Sequence, residues 1–343
     1  MRELTADFGV SRVHFTTEAA RLTVAELMER FYEAPHLWKP ATVASHRPVV
    51  KALMADELGR RRLVTLTGGE VRAAICRWQT AGLSVPTVSG RWLVLRSAVS
   101  WAVAEGILRS NPLASMRGPA RPEPRRHRSP AEVRALLDTA EAIVEAAGRR
   151  LVSDPASAER QRGLFAAEQT LLVVRLAADS AARRGELAVL RLSDLDGRVL
   201  SIERGLSYGV IGSTKSSRSR RLTLGRTTVA MIHDHVDAWD ERCPRRQDGD
   251  WLFSTNPSRC RYLTAGTLSH RVRRLGTHAG VPAAALHRLR HGVATHLVDE
   301  GKLLKAQARL GHRDPSTTLR HYSHAVALDD EQIADDLDRL LNP

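Results

Sequence analysis

The stretch ARRGELAVLRLSDL at residues 182–195 decides the fold of the second half of the chain. It extends a helical pattern over Ala166–Leu192, in which apolar side chains recur every three or four residues. Arg183 and Glu186 stand three residues apart, a spacing that predicts one shared helix face. Taken alone, the two residues also fit an ordinary surface ion pair, which is worth less than about 1 kcal/mol.

Two short strands are predicted after this helix. Arg198–Arg204 and Arg220–Leu224 have strand-like patterns, and a connection rich in Gly, Ser and Lys joins them. We therefore expect a hairpin or a small sheet, with Lys215 at the tip of the hairpin. A loop lysine is ordinarily only solvated, so Lys215 alone indicates no function.

The rest of the second half is predicted to be mostly helical. Ser129-Pro130-Ala131-Glu132 combines an N-cap serine, a proline at the first helical position and an acid in the first turn, which is typical of a helix start. The polar stretch at residues 148–163 predicts a loop. Further helices are expected at Val229–Trp239, Leu263–Ala279, Leu286–Glu300, Leu303–Leu310 and Ser316–Ala327.

The first half predicts an all-α bundle, because no strand pattern interrupts residues 21–116. Its helical patterns cover Leu22–Tyr32, Val49–Leu58, Val71–Trp78 and Trp92–Ile107. Asn111-Pro112 ends the last of these patterns.

A proline-rich break follows at Arg117–Pro130, RGPARPEPRRHRSP. Its four prolines forbid helix or sheet and predict an extended linker between two domains. Its five arginines either form a solvated spacer or track along a phosphate backbone. We divide the chain into an N-terminal extension at 1–20, a helical domain at 21–116, the linker at 117–130, a second domain at 131–328 and an acidic tail at 329–343.

Composition limits the classes of protein to which the 343-residue chain can belong. Its 52 Lys and Arg against 38 Asp and Glu give a formal net charge of +14, which favours a polyanionic partner or, alternatively, a solvated basic surface. A hydrophobic content of 43% excludes a wholly disordered chain. No apolar run is long enough for a membrane span or a signal peptide. The three cysteines are widely spaced, which excludes a disulfide scaffold and fits a reducing cytoplasm.

A histidine and an arginine stand together in His287-Arg288-Leu289-Arg290-His291. His287 and Arg290 share a predicted helix face. His287 and His291 also have the i, i+4 spacing of zinc ligands. Because no Glu or Cys accompanies them as a third ligand, we expect no metal.

The last candidate residues lie near the carboxyl end. His312 follows Leu310-Gly311, and Asp314-Pro315 predicts the start of a helix that carries Tyr322, ten residues after His312. A lone tyrosine on a helix usually packs in the core, so this residue too is uninformative by itself.

In this order, Arg-x-x-Glu, Lys, His-x-x-Arg, Leu-Gly-His and Tyr, the candidates resemble the active site of the tyrosine recombinases, also called the phage integrase family. The resemblance covers the second domain, and Val88–Pro112 is similar to the last helices of that family's core-binding domain. It implies a mainly α fold, with an N-terminal helical, SAM-like core-binding domain and an α+β catalytic domain that has a small antiparallel sheet. Where the family usually has Thr-Gly-Leu before the first arginine, this chain has Ser180-Ala181-Ala182, so we expect the local packing to differ.

The resemblance also implies a role for each candidate. Arg183 and Arg290 clamp the nonbridging oxygens of a DNA phosphate and offset the charge that builds up in the transition state. Glu186 orients Arg183. The other roles are proton acceptor for His287, proton donor to the leaving 5′-oxygen for Lys215, hydrogen-bond donor to the phosphate for His312 and nucleophile for Tyr322.

The implied activity is site-specific recombination, in which DNA strands are cut and rejoined through a 3′-phosphotyrosyl intermediate without metal, ATP or another cofactor. The implied partner is double-stranded DNA with specific core sites, on which the chain forms a homotetramer around synapsed DNA. The free protein is expected to be a monomer or a weak oligomer, located at the nucleoid in the cytoplasm. Along the linker, Arg125, Arg126 and Arg128 are expected to contact DNA phosphates.

Two points stay open in this interpretation. The apolar stripe of the tail packs either on its own domain or on a neighbouring protomer. The chain is alternatively a catalytically inactive DNA-binding accessory protein or a monomeric type IB topoisomerase. The full set of candidate residues argues against the first alternative, and the tail argues mildly against the second.

Overall fold

The computed structural model describes residues 21–119, 129–213, 219–242, 249–282 and 284–311. The chain divides into two compact units, within Met1–Pro124 and Arg125–Pro343. This division falls inside the proline-rich segment, and the domain boundaries given above stay predictions. The described residues contain no helix that is long and apolar enough to cross a membrane.

The first unit is helical, as predicted. Its helices are α1 (Val24–Glu33), α2 (Pro40–Ala55), α3 (Gly68–Thr80) and α4 (Val85–Ala104), with short 3-10 helices at Glu57–Arg60 and Leu63–Thr65. The helix predicted over Val49–Leu58 ends earlier, at Ala55, because the Asp56 side chain accepts from the Leu58 N–H and caps the first 3-10 helix instead. Apolar side chains from each helix fill one core, among them Leu27, Leu53 and Leu95.

Local sequence explains where α1 and α3 begin. Thr23 and Thr67 accept hydrogen bonds from the main-chain N–H groups of Glu26 and Glu70, whose carboxylates accept from the threonine N–H groups in return. Such reciprocal caps satisfy donors that the helix itself leaves unpaired. Each threonine cap contributes about 1 kcal/mol to stability.

The second unit combines long helices with small antiparallel sheets, which confirms the predicted fold class. Ser129 caps the first helix by accepting from the Glu132 N–H, as the sequence predicts, and the Glu132 carboxylate accepts from the Ser129 N–H in return. The central helix of the second unit, α6, packs against α5, α8, α9 and α10. The helices are α5 (Pro130–Val152), α6 (Ala158–Ser180), α7 (Arg184–Leu187), α8 (Arg226–Arg242), α9 (Ala265–His278), α10 (Leu286–Asp299) and α11 (Leu303–Leu310).

The strands lie between α7 and α8. They are β1 (Leu195–Asp196), β2 (Val199–Ile202), β3 (Arg204–Ser207), β4 (Val210–Ser213) and β5 (Arg220–Thr223). β1, β2 and β5 form an antiparallel sheet, which confirms the predicted small sheet, while β3 and β4 form a separate hairpin that the sequence pattern does not predict. The turn of this hairpin is Tyr208-Gly209, whereas Lys215 comes after β4 and lies outside the described residues.

Two predicted boundaries in the second unit are wrong. Residues 148–163 are mostly helical, and only residues 153–157 separate α5 from α6, because the polar side chains of this stretch face solvent from helices. The single helix predicted over Ala166–Leu192 ends at Ser180, since Ala181 adopts a left-handed backbone with a φ of 52°.

Candidate active site

Arg183 lies immediately before a helix rather than within one. After Ala181 turns the backbone, Arg183 becomes the N-cap of α7 and Glu186 lies in the first turn. The two side chains still meet, because Arg183 Nη1 donates to Glu186 Oε1 at 2.8 Å. Arg183 is one-quarter exposed, and no described residue accepts a hydrogen bond from its Nε or Nη2. Those donors remain for a ligand.

Glu186 is the buried centre of the site. Its side chain is 2% exposed, and its carboxylate accepts from N and Nη1 of Arg183 and from Nη1 and Nη2 of Arg220. Burial raises the pKa of this carboxyl, but the hydrogen bond and charge of Arg220, with the charge of Arg183, outweigh burial and hold the pKa below its usual range. Glu186 is therefore an ionised buried residue and not half of a surface ion pair.

Gly185 lets α7 approach the β3–β4 hairpin. A Cβ atom at this position would stand 2.3 Å from the carbonyl oxygen of Leu206 in β3. Because that oxygen belongs to the main chain, it cannot move aside as a flexible side chain does. The glycine before Glu186 is therefore required by packing.

Arg290 contacts the main chain just before Arg183 and just before His312. It lies on α10, is 3% exposed, and donates from Nη1 to the carbonyl oxygen of Ala181, two residues before Arg183. Its Nη2 donates to the carbonyl oxygen of Leu310 at 2.6 Å, two residues before His312. The guanidinium thus holds the ends of α6 and α11 against α10.

His287 lies one turn before Arg290 on α10 and is exposed. Its Nε2 stands 2.8 Å from Nε2 of His291, and the two rings meet edge to face with centroids 4.3 Å apart. One imidazole must donate in this contact and the other accept. Within the described ranges, no three His, Cys, Asp or Glu side chains are placed to hold a metal ion.

The other candidates lie outside the described residues, so their roles stay predictions. The described chain stops at Gly311, directly before His312, and resumes at Ser219, four residues after Lys215. The residues concerned are Lys215, His312, Tyr322, Arg125, Arg126 and Arg128.

Two arginines that sequence reasoning did not single out also belong to this network. Arg220 on β5 contacts Glu186, and its Nε donates to the carbonyl oxygen of Arg309 at 3.0 Å. Arg309 on α11 donates from Nη2 to Asp179 Oδ1 at 2.7 Å and from Nε to the Asp179 carbonyl oxygen at 2.8 Å. These partners are 34 and 130 residues apart in sequence, so no local spacing reveals them.

The fold and the site together define a class of protein. A helical unit precedes an α+β unit in which one buried carboxylate holds guanidinium groups from two elements, near a helix that carries histidine and a further arginine. Guanidinium donors in a fixed arrangement suit the oxygens of a phosphodiester. This combination is typical of the enzymes that break and rejoin DNA strands without a nucleotide-binding loop.

The chain belongs to the phage integrase family, whose family model matches residues 130–328. It is 28% identical over 303 residues to the tyrosine recombinase XerC of Yersinia pestis, a match that covers 87% of this chain and 89% of that protein. It is 29% identical over 302 residues to XerC of Serratia marcescens, covering 86% of this chain and 88% of that one. The predicted resemblance and the class of tyrosine-type site-specific recombinase are thereby confirmed.

Solved structures show the same fold. The integrase of the transposon Tn1549, in complex with a circular intermediate DNA, superposes with a TM-score of 0.70 at 19% identity, over 93% of this chain and 99% of that one. A lambda integrase tetramer bound to a Holliday junction gives a TM-score of 0.64 at 19% identity, over 89% of this chain and 79% of that one. At this identity, the likeness establishes the fold alone.

Proposed function

We propose that this recombinase cuts DNA at specific sites with the Tyr322 hydroxyl and reseals it through a 3′-phosphotyrosyl intermediate. The observation that carries the proposal is that the described segments next to the candidates in sequence converge on Glu186 and Arg290. The remaining residues of the proposed catalytic set are Arg183, Lys215, His287 and His312.

The convergence joins parts of the chain that are far apart in sequence. Arg290 binds the main chain at Ala181 and at Leu310, and these two residues each stand two positions before a candidate. Arg220, five positions after Lys215, binds Glu186. Such a network supports a common site for candidates that are spread over roughly 140 residues of sequence.

The arginines suit the charge of the reaction. A phosphodiester repels nucleophiles, and the negative charge on its nonbridging oxygens increases in the transition state. Arg183, oriented by Glu186, offers Nε and Nη2, and the Arg290 guanidinium stays protonated at any working pH. Together they would bind the two nonbridging oxygens and lower the barrier.

The proposed cleavage moves two protons and replaces one phosphate ester bond with another. The Tyr322 phenol passes its proton to His287, and its oxygen attacks phosphorus while the bond to the 5′-oxygen breaks. Lys215 gives a proton to that oxygen, and His312 donates a hydrogen bond to the phosphate. Attack by a 5′-hydroxyl on the phosphotyrosyl ester reverses these steps, so resealing needs no ATP.

The proposed partners follow from the relatives and from the charge of the chain. Double-stranded DNA with core sites would bind both units, with phosphate contacts from Arg125, Arg126 and Arg128 in the linker. Strand exchange between two duplexes would require a homotetramer, and the free chain would be a monomer or a weak oligomer. Such a protein would act at the nucleoid, in the cytoplasm.

Covalent trapping tests the proposal. A binding site is first selected from random duplexes and then nicked close to the cleavage point, so that the short 5′-hydroxyl fragment diffuses away and resealing fails. The wild-type chain should give an SDS-resistant DNA adduct, and Tyr322→Phe should give none while binding the same duplex. Mass spectrometry of the digested adduct should locate the phosphate ester on Tyr322.

The other functions give different results in the same experiment. Specific binding without an adduct would identify an accessory protein. An adduct together with relaxation of supercoiled plasmid by a monomer, and no exchange between duplexes, would identify a topoisomerase. An adduct that survives in Tyr322→Phe would show that another residue is the nucleophile.

A further inference from the structure

Arg220 is an almost fully buried arginine that donates hydrogen bonds to two parts of the site. Its side chain is 7% exposed. Nη2 donates to Glu186 Oε2 at 2.7 Å, Nη1 donates to Glu186 Oε1 at 3.3 Å, and Nε donates to the carbonyl oxygen of Arg309 at 3.0 Å. All three nitrogens therefore donate hydrogen bonds. Nη1 and Nη2 contact Glu186 on α7, and Nε contacts the main chain of α11.

The charges of the cluster explain why a second arginine is useful. Glu186 is one anion between two cations, so the group Arg183–Glu186–Arg220 has a net charge of +1. Arg183 and Glu186 alone would be neutral overall and would attract a phosphate less strongly. Because Arg220 is buried and Arg183 is one-quarter exposed, the excess positive charge is presented at Arg183.

Arg220 also fixes the end of α11. The last carbonyl oxygens of a helix have a partial negative charge, and a guanidinium against them is favourable. Gly311 follows with a φ of 65°, and a Cβ atom there would stand 3.1 Å from Cδ of Arg220. A larger residue at this position would crowd the Arg220 side chain and strain the left-handed backbone, so a glycine before His312 suits the buried arginine.

We propose that Arg220 is a positioning residue for DNA cleavage, which orients Arg183 through Glu186 and fixes the end of α11 immediately before His312. The inference rests on the proposed function of the site. Arg220 does not touch the DNA; it acts through the carboxylate and through the main chain of α11.

The proposal predicts a pH dependence that a purely structural arginine would not produce. Without Arg220, burial would favour the neutral form of Glu186, with Arg183 alone opposing it, so the pKa of that carboxyl would rise. A neutral carboxyl holds a guanidinium weakly. Cleavage would then decline as the pH falls towards the raised pKa, in a range where the wild-type site keeps Glu186 ionised.

The experiment measures the rate of adduct formation on the suicide duplex, at saturating DNA and from pH 5 to pH 8. Arg220→Ala should cleave about 100-fold more slowly than wild type, the scale expected when a reacting group is displaced by about 1 Å. The ratio of the Arg220→Ala rate to the wild-type rate should fall as the pH is lowered, since the common proton acceptor His287 affects both rates alike. Arg220→Lys keeps the charge, but lysine cannot reach both Glu186 and the Arg309 carbonyl oxygen. Its cleavage rate should therefore lie between those of the wild type and Arg220→Ala.

Arg221→Ala is the matched control. Arg221 is the next residue of β5 and is exposed, and its side chain makes no hydrogen bond or ion pair to a described residue, so its variant should stay within about threefold of wild type. A double variant supplies the second control. Because Arg220 acts partly through Glu186 and partly through α11, adding Arg220→Ala to Glu186→Gln should slow cleavage by less than the about 100-fold expected for Arg220→Ala in the wild-type background.

The inference is overturned if folded Arg220→Ala cleaves like Arg221→Ala, or if the slowing by Arg220→Ala multiplies fully with that of Glu186→Gln. Circular dichroism and duplex binding establish that the variants are folded. Should Arg220→Ala fail to fold, Arg220→Lys undergoes the same pH series and the same double-variant comparison. A wild-type chain that forms no adduct refutes the proposed function instead, so the two failures are distinguishable.

Discussion

Leu27, Leu53 and Leu95 fill the core of the first unit, whereas the second unit buries Glu186, Arg259 and Arg290 within its fold. Every buried polar or charged side chain in the described ranges lies between Gln169 and Thr295, in the second unit. Burying charge is expensive unless it is paired, and a well-packed apolar group often serves stability as well or better. The difference indicates that apolar packing alone fills the core of the first unit, while the second unit also buries charges, among them those of the candidate site.

Removal of the Glu186 carboxylate should produce the largest loss of stability. A small loss would show that the second unit does not depend on its paired buried charges. Glu186→Ala leaves Arg220 buried without its anion, so the second unit should lose about 3–5 kcal/mol of unfolding free energy. Urea denaturation at neutral pH measures the loss. Glu141→Ala, an exposed glutamate on α5, should change the same quantity by less than about 0.5 kcal/mol.

The stability of the first unit should depend on how closely its apolar core is packed. Leu95→Ala should cost about 2–5 kcal/mol, because it opens a cavity in a fully buried position of α4. Leu95→Met nearly conserves volume and should cost less than about 1.5 kcal/mol. Thermal or urea unfolding of both variants checks this, and equal losses would show that the core of the first unit is not closely packed.

Acid should affect the second unit through Glu186, by a smaller amount. Its pKa is lower in the folded chain than the usual 4.5, so ionised Glu186 stabilises the fold above pH 4.5 and this contribution is lost as the pH falls through the folded value. We expect the stability difference between wild type and Glu186→Gln to shrink between pH 6 and pH 3. A constant difference over that range would contradict the lowered pKa.

The smallest effect is expected at Ala181. A left-handed alanine costs about 1–2 kcal/mol, and Ala181→Gly would relieve this cost. The variant also loses a buried methyl group, at about 0.8 kcal/mol, and adds about 0.5–1 kcal/mol of chain entropy. The net change should therefore lie within about 1 kcal/mol. Ala182→Gly, which has no strain to relieve, should be more destabilising in the same urea titration.

Much of the fold is visible in the sequence where a local signal exists. α11 has the predicted bounds, Leu303–Leu310, and α10 begins at the predicted Leu286. The capping serine of α5 is recognisable because its partner Glu132 stands three residues on. The sequence pattern does not predict the β3–β4 hairpin, although Gly209 lies in its turn, because its strands are only four residues long and mostly exposed.

The site is less accessible to such reasoning, because its contacts are long-range. The pairing of Arg183 with Glu186 follows from their spacing, but the burial of Glu186 depends on packing against other elements. Arg220 is one of 52 Lys and Arg in the chain, and nothing near it in sequence marks it as the partner of a carboxylate 34 residues away. Only the folded chain distinguishes it from its exposed neighbour Arg221.

The left-handed Ala181 makes the end of α6 depend on a distant part of the chain. Alanine is the strongest helix former, and the sequence through Ala181-Ala182 favours continuing α6 rather than stopping it. The stop is held by the Arg290 guanidinium on the Ala181 carbonyl, from a helix synthesised about a hundred residues later. A chain that lacks α10 would lose this contact at a point where the sequence favours further helix. The end of α6, and with it the position of Arg183, therefore depends on a contact that forms only once α10 has folded against it.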